Sequence, residues 1–155
     1  KLNPIMKKVF TLVMIMSMCA IVFAQDVKKD KESIKKLILT AYVDGLQNNG
    51  NLEATREGFH PGFDLLVFRD NIVTKFPIYN WLIYEERGKA KNPDPLPEEE
   101  LTSCEFEFVD ITGTAAVAKI HLTKGGKKIY TDYLSLYKFE EGWKIVGKIY
   151  YQIPE

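Results

Sequence analysis

Residues that bind metals or form disulfides are scarce in this chain, which has two histidines and two cysteines among 155 residues. His60 and His121 lie far apart, whereas zinc takes three or four nitrogen, sulfur or carboxylate ligands. The formal net charge is zero, and no basic block offers a footprint for nucleic acid. Phosphate-loop, dinucleotide-binding and nucleophile-elbow signatures are also absent. We therefore expect no metal, no cofactor and no nucleic-acid partner.

The N-terminal end has the pattern of a secretion signal. Basic residues at positions 7 and 8 precede an uncharged apolar run, Val9–Phe23, and small residues at 22 and 24 suit cleavage before Gln25. The run has 15 residues, and a membrane-spanning helix needs about 20, which disfavours a membrane anchor. The pattern predicts an extension and signal peptide over residues 1–24, one domain over 25–155, and a secreted or periplasmic protein that leaves the membrane after cleavage.

Cleavage would change both the charge and the cysteine content. It would remove three lysines and no acidic residue, which leaves 18 basic and 21 acidic residues and a net charge of −3. It would also remove Cys19 and leave Cys104 as the single cysteine. An intramolecular disulfide is then excluded, so the apolar core must stabilise the fold. The remaining length suits one ordinary domain.

Helices are predicted in the first part of the chain. Residues 28–49 carry an apolar stripe at helical spacing, formed by Ile34, Leu37, Ile38, Ala41, Tyr42, Gly45 and Leu46. Gly50 suits a left-handed cap after this helix, and Asn51 suits the N-cap of a second, short helix. Pro77 suits the first turn of a third helix, which a solvated connector over residues 88–100 follows.

Strands are predicted over most of the rest. Residues 63–68 and 72–76 form a hairpin pattern, and an antiparallel meander follows residue 101, where Cys104, Phe106 and Phe108 alternate with polar residues. The last hairpin lies within residues 130–151, with Gly142 suited to the left-handed position of its three-residue loop. Helices followed by such a meander predict an α+β fold.

Four segments carry a family resemblance, namely Phe59-His60-Pro61, Ala115–Lys119, Thr131–Leu136, and Gly142–Val146 followed by Lys148. Their order and spacing resemble the nuclear transport factor 2-like superfamily, and within it the secreted group described as "putative lumazine-binding". The resemblance implies an α+β cone in which N-terminal helices pack on a strongly bent antiparallel sheet and leave a pocket. Members include binding modules, dimerisation domains and enzymes, so this fold does not decide function.

Asp132 is a charged residue in an otherwise apolar strand. If the last hairpin pairs Phe139 with Trp143, Asp132 lies opposite Tyr150 and on the same sheet face as Lys148. The pair could then supply polar groups to a pocket wall. The alternative is an ion pair that fixes the strand register and has no ligand.

His60 and three helical aromatic residues are further candidates. The ordinary pKa of histidine, about 6.5, suits proton transfer near neutrality, although His60 could equally hydrogen-bond the chain at its corner. Tyr42, Trp81 and Tyr84 lie on helices expected to close the sheet, where rings and hydroxyls suit a planar ligand. Core packing or a dimer interface would also explain these aromatic residues.

These features predict an exported domain that binds a small apolar or planar molecule between the sheet and the first and third helices. The predicted ligand-binding residues are Tyr42, His60, Trp81, Tyr84, Asp132 and Lys148. One alternative is an isomerase-, dehydratase- or cyclase-like enzyme in which His60 and Asp132 face the same cavity. Another is an interaction module that forms a homodimer through the exposed face of its sheet.

Overall fold

The computed structural model describes residues 26–154, so the predicted signal peptide and Cys19 lie outside the described residues. The helices are α1 (26–47, π-helical over Ile38–Gln47), α2 (Leu52–Gly58) and α3 (Ile78–Lys91), with a 3-10 turn at Glu98–Glu100. The strands are β1 (Phe59–Arg69), β2 (Ile72–Pro77), β3 (Thr102–Thr112), β4 (Ala115–Lys124), β5 (Lys127–Phe139) and β6 (Gly142–Gln152). Among residues 26–154, none of the helices combines the length and apolar character that a membrane span requires.

A strongly curved six-stranded sheet packs against the three helices, which confirms the predicted α+β cone. The strand order is β2-β1-β6-β5-β4-β3. Neighbouring strands are antiparallel except β1 and β6, which pair in parallel. The sheet is therefore mixed, whereas a purely antiparallel one was expected. A parallel pair of strands needs a long crossover connection. Here the chain from β2 through β5 connects β1 to β6.

The predicted apolar stripe of α1 forms one side of the core. Ile34, Ile38, Ala41, Tyr42 and Leu46 are buried. They pack in one cluster with buried residues of the sheet face that points toward the helices, among them Ala118, Ile120, Leu122, Leu134, Leu136 and Ile145. We call this side the inner face of the sheet. Because α1 covers the inner face, a polar side chain that lies on this face beneath the helix is removed from water.

The junction between α1 and α2 contains three consecutive residues with different roles, Asn49, Gly50 and Asn51. The Asn51 side chain accepts a hydrogen bond from the Glu53 amide at 2.9 Å, which confirms the predicted cap. Asn49, with φ 55°, adopts the left-handed conformation that was expected of Gly50. A side chain on Gly50 would collide with the Asp44 carbonyl. Gly50 is therefore required for close backbone approach and not for its backbone angle.

The last hairpin has a different turn from the predicted one but keeps the predicted pairing at Asp132. Phe139 pairs with Gly142, one residue short of the expected partner, and the turn has two residues. A bulge at Val146 then shifts the register by one, so that Asp132 pairs with Tyr150. Because the two offsets cancel, Asp132 and Lys148 do share the inner face.

The structure confirms the predicted turn between β1 and β2, and it corrects two predictions, the end of α3 and the alternation of side chains along β3. The hairpin turn at Asp70 and Asn71 forms as expected, with φ of 52° and 61°. Helix α3 continues to Lys91, into the predicted connector. The register shifts between Phe106 and Phe108, and Phe108 is 42% exposed on the other face of the sheet. Strict alternation therefore fails along β3 because of a bulge.

Candidate functional site

Three polar side chains meet inside the apolar core, and we call them the polar cluster. They are Tyr42 on α1, Asp132 on β5 and Lys148 on β6, and all three are buried. The Tyr42 hydroxyl donates to Asp132 Oδ2 at 2.6 Å. Lys148 Nζ donates to the same Oδ2 at 2.8 Å and to Tyr42 Oη at 2.6 Å. The cluster thus joins α1 to the two central strands through charge-assisted hydrogen bonds.

Sheet geometry explains why the cluster forms. Asp132 lies opposite Tyr150, and the residue two positions before Tyr150 is Lys148, a diagonal neighbour on the same face. A long lysine side chain spans that diagonal. Tyr42 comes from the buried stripe of the helix above, so its ring fills the core while its hydroxyl reaches the carboxylate.

Burial governs the electrostatics of the polar cluster. It raises the pKa of Tyr42 well above the ordinary value, because a phenolate would be desolvated and would face the Asp132 carboxylate. It lowers the pKa of Lys148, and attraction to Asp132 offsets part of that effect. Tyr42 therefore keeps its proton and acts as a hydrogen-bond donor at neutral pH. Lys148 holds its own proton less firmly than a lysine in water.

Four aromatic rings surround the Lys148 amine, and we call them the aromatic shell. Nζ lies 4.9 Å from the ring centroid of Tyr42, 5.8 Å from Trp81, 6.0 Å from Tyr130 and 5.0 Å from Tyr150. Ring faces attract cations at such distances. The shell and the carboxylate therefore favour a positive charge at Nζ, whereas burial disfavours one.

One oxygen of the polar cluster lacks a partner. Asp132 Oδ1 is buried, and no group among residues 26–154 hydrogen-bonds it. Buried polar atoms in folded proteins almost always have a partner, and leaving one without costs about 1–3 kcal/mol. An N–H or O–H group of a bound molecule would satisfy this oxygen.

The structure brings Tyr42, Trp81, Asp132 and Lys148 together, but it does not bring His60 to them. The His60 ring stacks on Phe139 with centroids 4.9 Å apart, and its Nδ1 accepts a hydrogen bond from the Gly62 amide at 3.0 Å. Phe139 lies seven residues beyond Asp132 on β5, about 23 Å away and on the opposite face. The hypothesis that His60 and Asp132 share a cavity is therefore wrong, and His60 stabilises the chain at its corner.

Tyr84 also lies away from the polar cluster. It is 71% exposed, and its ring contacts Phe76 at 6.2 Å between centroids. Trp81 Nε1 instead donates to the half-buried Glu85 at 3.1 Å, and burial raises the pKa of that carboxyl group. Helix α3 is apolar around much of its circumference, so its sequence did not show which side faces the sheet.

Sequence reasoning did not assign Tyr130, Tyr150 or Glu85 to the site. A signal for the two tyrosines was present, because Tyr130 is two residues from Asp132 and Tyr150 is two residues from Lys148. Residues two apart on a strand point to the same face. The sequence contained no comparable signal for Glu85, because its position depends on which side of α3 faces the sheet.

Two surface hollows are present beside the core, and Lys148 of the polar cluster borders the first of them. One, of about 540 Å³, is on the outer face of the sheet and is lined by residues that include Asp64, Lys75, Tyr133, Ser135 and Ile149. The other, also about 540 Å³, is a groove between α1 and β3 beside Cys104. Within residues 26–154, no three histidine, cysteine or acidic side chains are grouped to hold a metal. The rings of Trp81, Tyr130 and Tyr150, which lie around Lys148 Nζ, are each half-buried. The homodimer through the outer face stays a prediction.

Cys104 should react slowly in the folded protein. Burial, with the Asp132 carboxylate nearby, raises the pKa of its thiol to about 12, and the thiolate is the reacting form. At pH 9 we expect alkylation of Cys104 by iodoacetamide about a hundredfold or more slower than in urea-unfolded protein. The rate should rise about tenfold per pH unit above that. Mass mapping of the Cys104 peptide measures both rates, and equal rates would contradict the buried thiol.

Comparison with known proteins identifies relatives of the whole described domain. Residues 29–151 match the model of a protein family described as "Putative lumazine-binding". A curated relative, "Aldolase FrzH" of Cladobotryum sp, is 26% identical over 121 residues, which are 76% of this chain and 90% of that protein.

Solved structures show the same fold. An NTF2-like protein of unknown function from Shewanella baltica OS155 is 28% identical, with a TM-score of 0.62 over 80% of this chain and 94% of that chain. Another NTF2-like protein of unknown function, from Silicibacter pomeroyi DSS-3, is 16% identical, with a TM-score of 0.60 over 77% of this chain and 92% of that chain. These likenesses show the nuclear transport factor 2-like architecture.

Proposed function

This chain belongs to the protein family described as "Putative lumazine-binding", and on that premise we propose that it binds a small planar molecule at the polar cluster. The observation that carries the proposal is the buried Asp132 Oδ1, which has no partner among the described residues although the same carboxylate accepts two hydrogen bonds at Oδ2. A ligand with an N–H or O–H donor would complete the hydrogen bonding of that carboxylate.

The surroundings of the cluster support a ligand that is flat and partly polar. Trp81, Tyr130 and Tyr150 present rings around Lys148 Nζ and are each half-buried. Ligand sites typically combine apolar and aromatic walls with a few fixed polar groups. A lumazine is a fused heterocycle that bears carbonyl and N–H groups. Its carbonyl could accept from Lys148 while an N–H donates to Asp132.

Replacing Trp81 with alanine should weaken the binding of lumazine. Stacking on one aromatic side chain contributes about 1–3 kcal/mol, so we expect a Kd about 5- to 150-fold higher than that of the unmodified protein. Isothermal titration calorimetry measures the change. Tyr84→Ala is the matched control, because Tyr84 lies on the same helix but is 71% exposed. Equal affinities of the two variants would place the ligand elsewhere, and a protein that binds no lumazine would contradict this ligand class.

A second candidate function is an enzyme that acts on carbonyl compounds. The polar cluster brings an amine, a hydroxyl and a carboxylate within hydrogen-bonding distance of one another in a water-poor interior. Such groups suit acid–base or nucleophilic catalysis. The relative named as an aldolase supports this candidate, since aldol reactions form or break a carbon–carbon bond beside a carbonyl group. Its test is the covalent reaction of Lys148 considered next.

A further inference from the structure

We propose that the Lys148 amine forms a covalent imine with an aldehyde or ketone that enters the aromatic shell. The inference rests on the second candidate function and extends it by assigning the nucleophile and the class of ligand. Three observations carry it: the partners of Nζ, the four rings around it, and the carboxylate oxygen that has no partner.

The hydrogen bonds of Nζ fit a neutral amine. Among the described residues Nζ has two acceptors, Tyr42 Oη and Asp132 Oδ2. A neutral amine has two N–H donors and one lone pair, so these acceptors use both donors and leave the lone pair for a ligand. Transfer of the third proton of the ammonium to the Asp132 carboxylate, 2.8 Å away, would generate this form when the carbonyl compound arrives, without a net change of charge in the core.

The neighbouring groups match the proton transfers that imine formation requires. The Nζ lone pair attacks the carbonyl carbon, and the carbonyl oxygen takes up a proton to give a carbinolamine. Tyr42 is placed to donate that proton and to take back the one that nitrogen loses, so it ends as a neutral hydroxyl. The carbinolamine hydroxyl then takes up the proton that Asp132 had received from the ammonium and leaves as water, while the carbon–nitrogen double bond forms and Asp132 returns to its carboxylate form. One water is released in all, and nothing is oxidised or reduced.

The same surroundings would stabilise the product. A protonated imine keeps its positive charge at the position of Nζ, within 2.8 Å of Asp132 Oδ2 and 4.9–6.0 Å of four ring centroids. Ring faces and a carboxylate attract that charge as they attract an ammonium ion. Asp132 Oδ1, with no partner among residues 26–154, could accept from the hydroxyl of the carbinolamine.

Lys75 provides a matched control for Lys148. It also contacts an aspartate, Asp64, at 2.9 Å, but its side chain is 71% exposed on the outer side of the sheet. Attraction to Asp64 raises the pKa of Lys75, so its amine stays protonated in water. A reaction that requires a buried amine should therefore be faster at Lys148 than at Lys75, although each lysine is paired with an aspartate.

The test uses 2,4-pentanedione with the whole protein at neutral pH. An amine attacks one carbonyl group of this probe, water leaves, and loss of a C–H proton gives a conjugated enaminone that absorbs in the near ultraviolet. We expect one equivalent of enaminone to form, and peptide mass mapping to locate it at Lys148. Burial lowers the pKa of Lys148 whereas Asp64 raises that of Lys75, so the neutral amine forms more readily at Lys148 and its labelling should be at least severalfold faster than that of Lys75.

Variants separate this proposal from general lysine reactivity. Lys75→Met should retain the fast phase, and Asp132→Asn/Lys148→Met, which leaves no unpaired charge, should lose it. If Lys148 in the unmodified protein reacts no faster than Lys75, the proposal is overturned, whether the amine stays protonated or the probe cannot reach it. Lumazine binding is measured separately, so a protein that binds lumazine without forming the enaminone retains the first proposed function and loses this one.

Discussion

The variant Lys148→Met is expected to lower the free energy of unfolding by about 3–5 kcal/mol, which is typical when one partner of a buried ion pair is removed. Asp132 would remain in the core with only the Tyr42 hydroxyl as a partner. Denaturant unfolding followed by circular dichroism measures the loss. A change of about 3–5 kcal/mol is a large share of the stability of a domain of this size, about 5–15 kcal/mol.

The double variant Asp132→Asn/Lys148→Met should recover most of that loss, because both charges are then gone and the new amide side chain would still accept from Tyr42. The exposed pair of Asp64 and Lys75 is the control. Water screens this pair, so removing Lys75 should change stability by about 1 kcal/mol or less. If Lys148→Met and Lys75→Met cost the same, the cluster is not enclosed as the structure describes. If the double variant is as unstable as Lys148→Met, the loss of stability in the single variant does not come from the unpaired charge of Asp132.

The second large effect is expected at Gly45 in α1. A side chain there would collide with the Thr55 hydroxyl, which is fully buried and donates to the Ala41 carbonyl at 2.8 Å. Gly45→Ala should therefore destabilise the protein by about 2–4 kcal/mol, through overpacking and loss of that hydrogen bond. Alanine favours a helix by about 1 kcal/mol over glycine, but this preference is smaller than the steric cost. The midpoint of thermal or urea unfolding measures the effect.

Gly88→Ala is the matched control for Gly45→Ala. Gly88 lies in α3, and a side chain there would meet nothing within 4 Å. The same substitution should then stabilise the protein by about 0.5–1 kcal/mol through helix propensity alone. Opposite signs at the two sites support the close packing of α1 on α2. A gain in stability at Gly45 would show that the helices lie further apart than described.

Much of the architecture could be predicted because the decisive signals are local. The buried stripe of α1 follows from helical spacing, and the cap of α2 follows from the side chain of Asn51. Asp132 and Lys148 were placed on one face from the alternation of side chains along strands and an assumed register, and the placement holds because the offset at the turn and the offset at the bulge cancel. Each inference needs only the periodicity of one element, or of two strands joined by a short turn.

The remaining features depend on contacts between distant elements. The turn at Gly142 and the bulge at Val146 each shift the register by one residue, and neither offset could be deduced from the residue pattern. Tyr84 was misplaced because the apolar surface of α3 has no single direction. His60 was misplaced because its stacking on Phe139 joins two segments far apart in the chain. The parallel pairing of β1 with β6 is likewise a long-range contact.

The bulge at Val146 divides the β5–β6 ladder into two stretches whose registers differ by one residue. The stretch near the turn aligns Phe139 with Gly142, whereas the stretch near the site aligns Asp132 with Tyr150. In a continuous ladder, one residue added at the turn would invert every side chain down to the site. Here a compensating residue can be absorbed at the bulge before the change reaches Asp132. One residue inserted at the hairpin tip and matched by one residue at the bulge would therefore leave the pairing of Asp132 with Tyr150 unchanged.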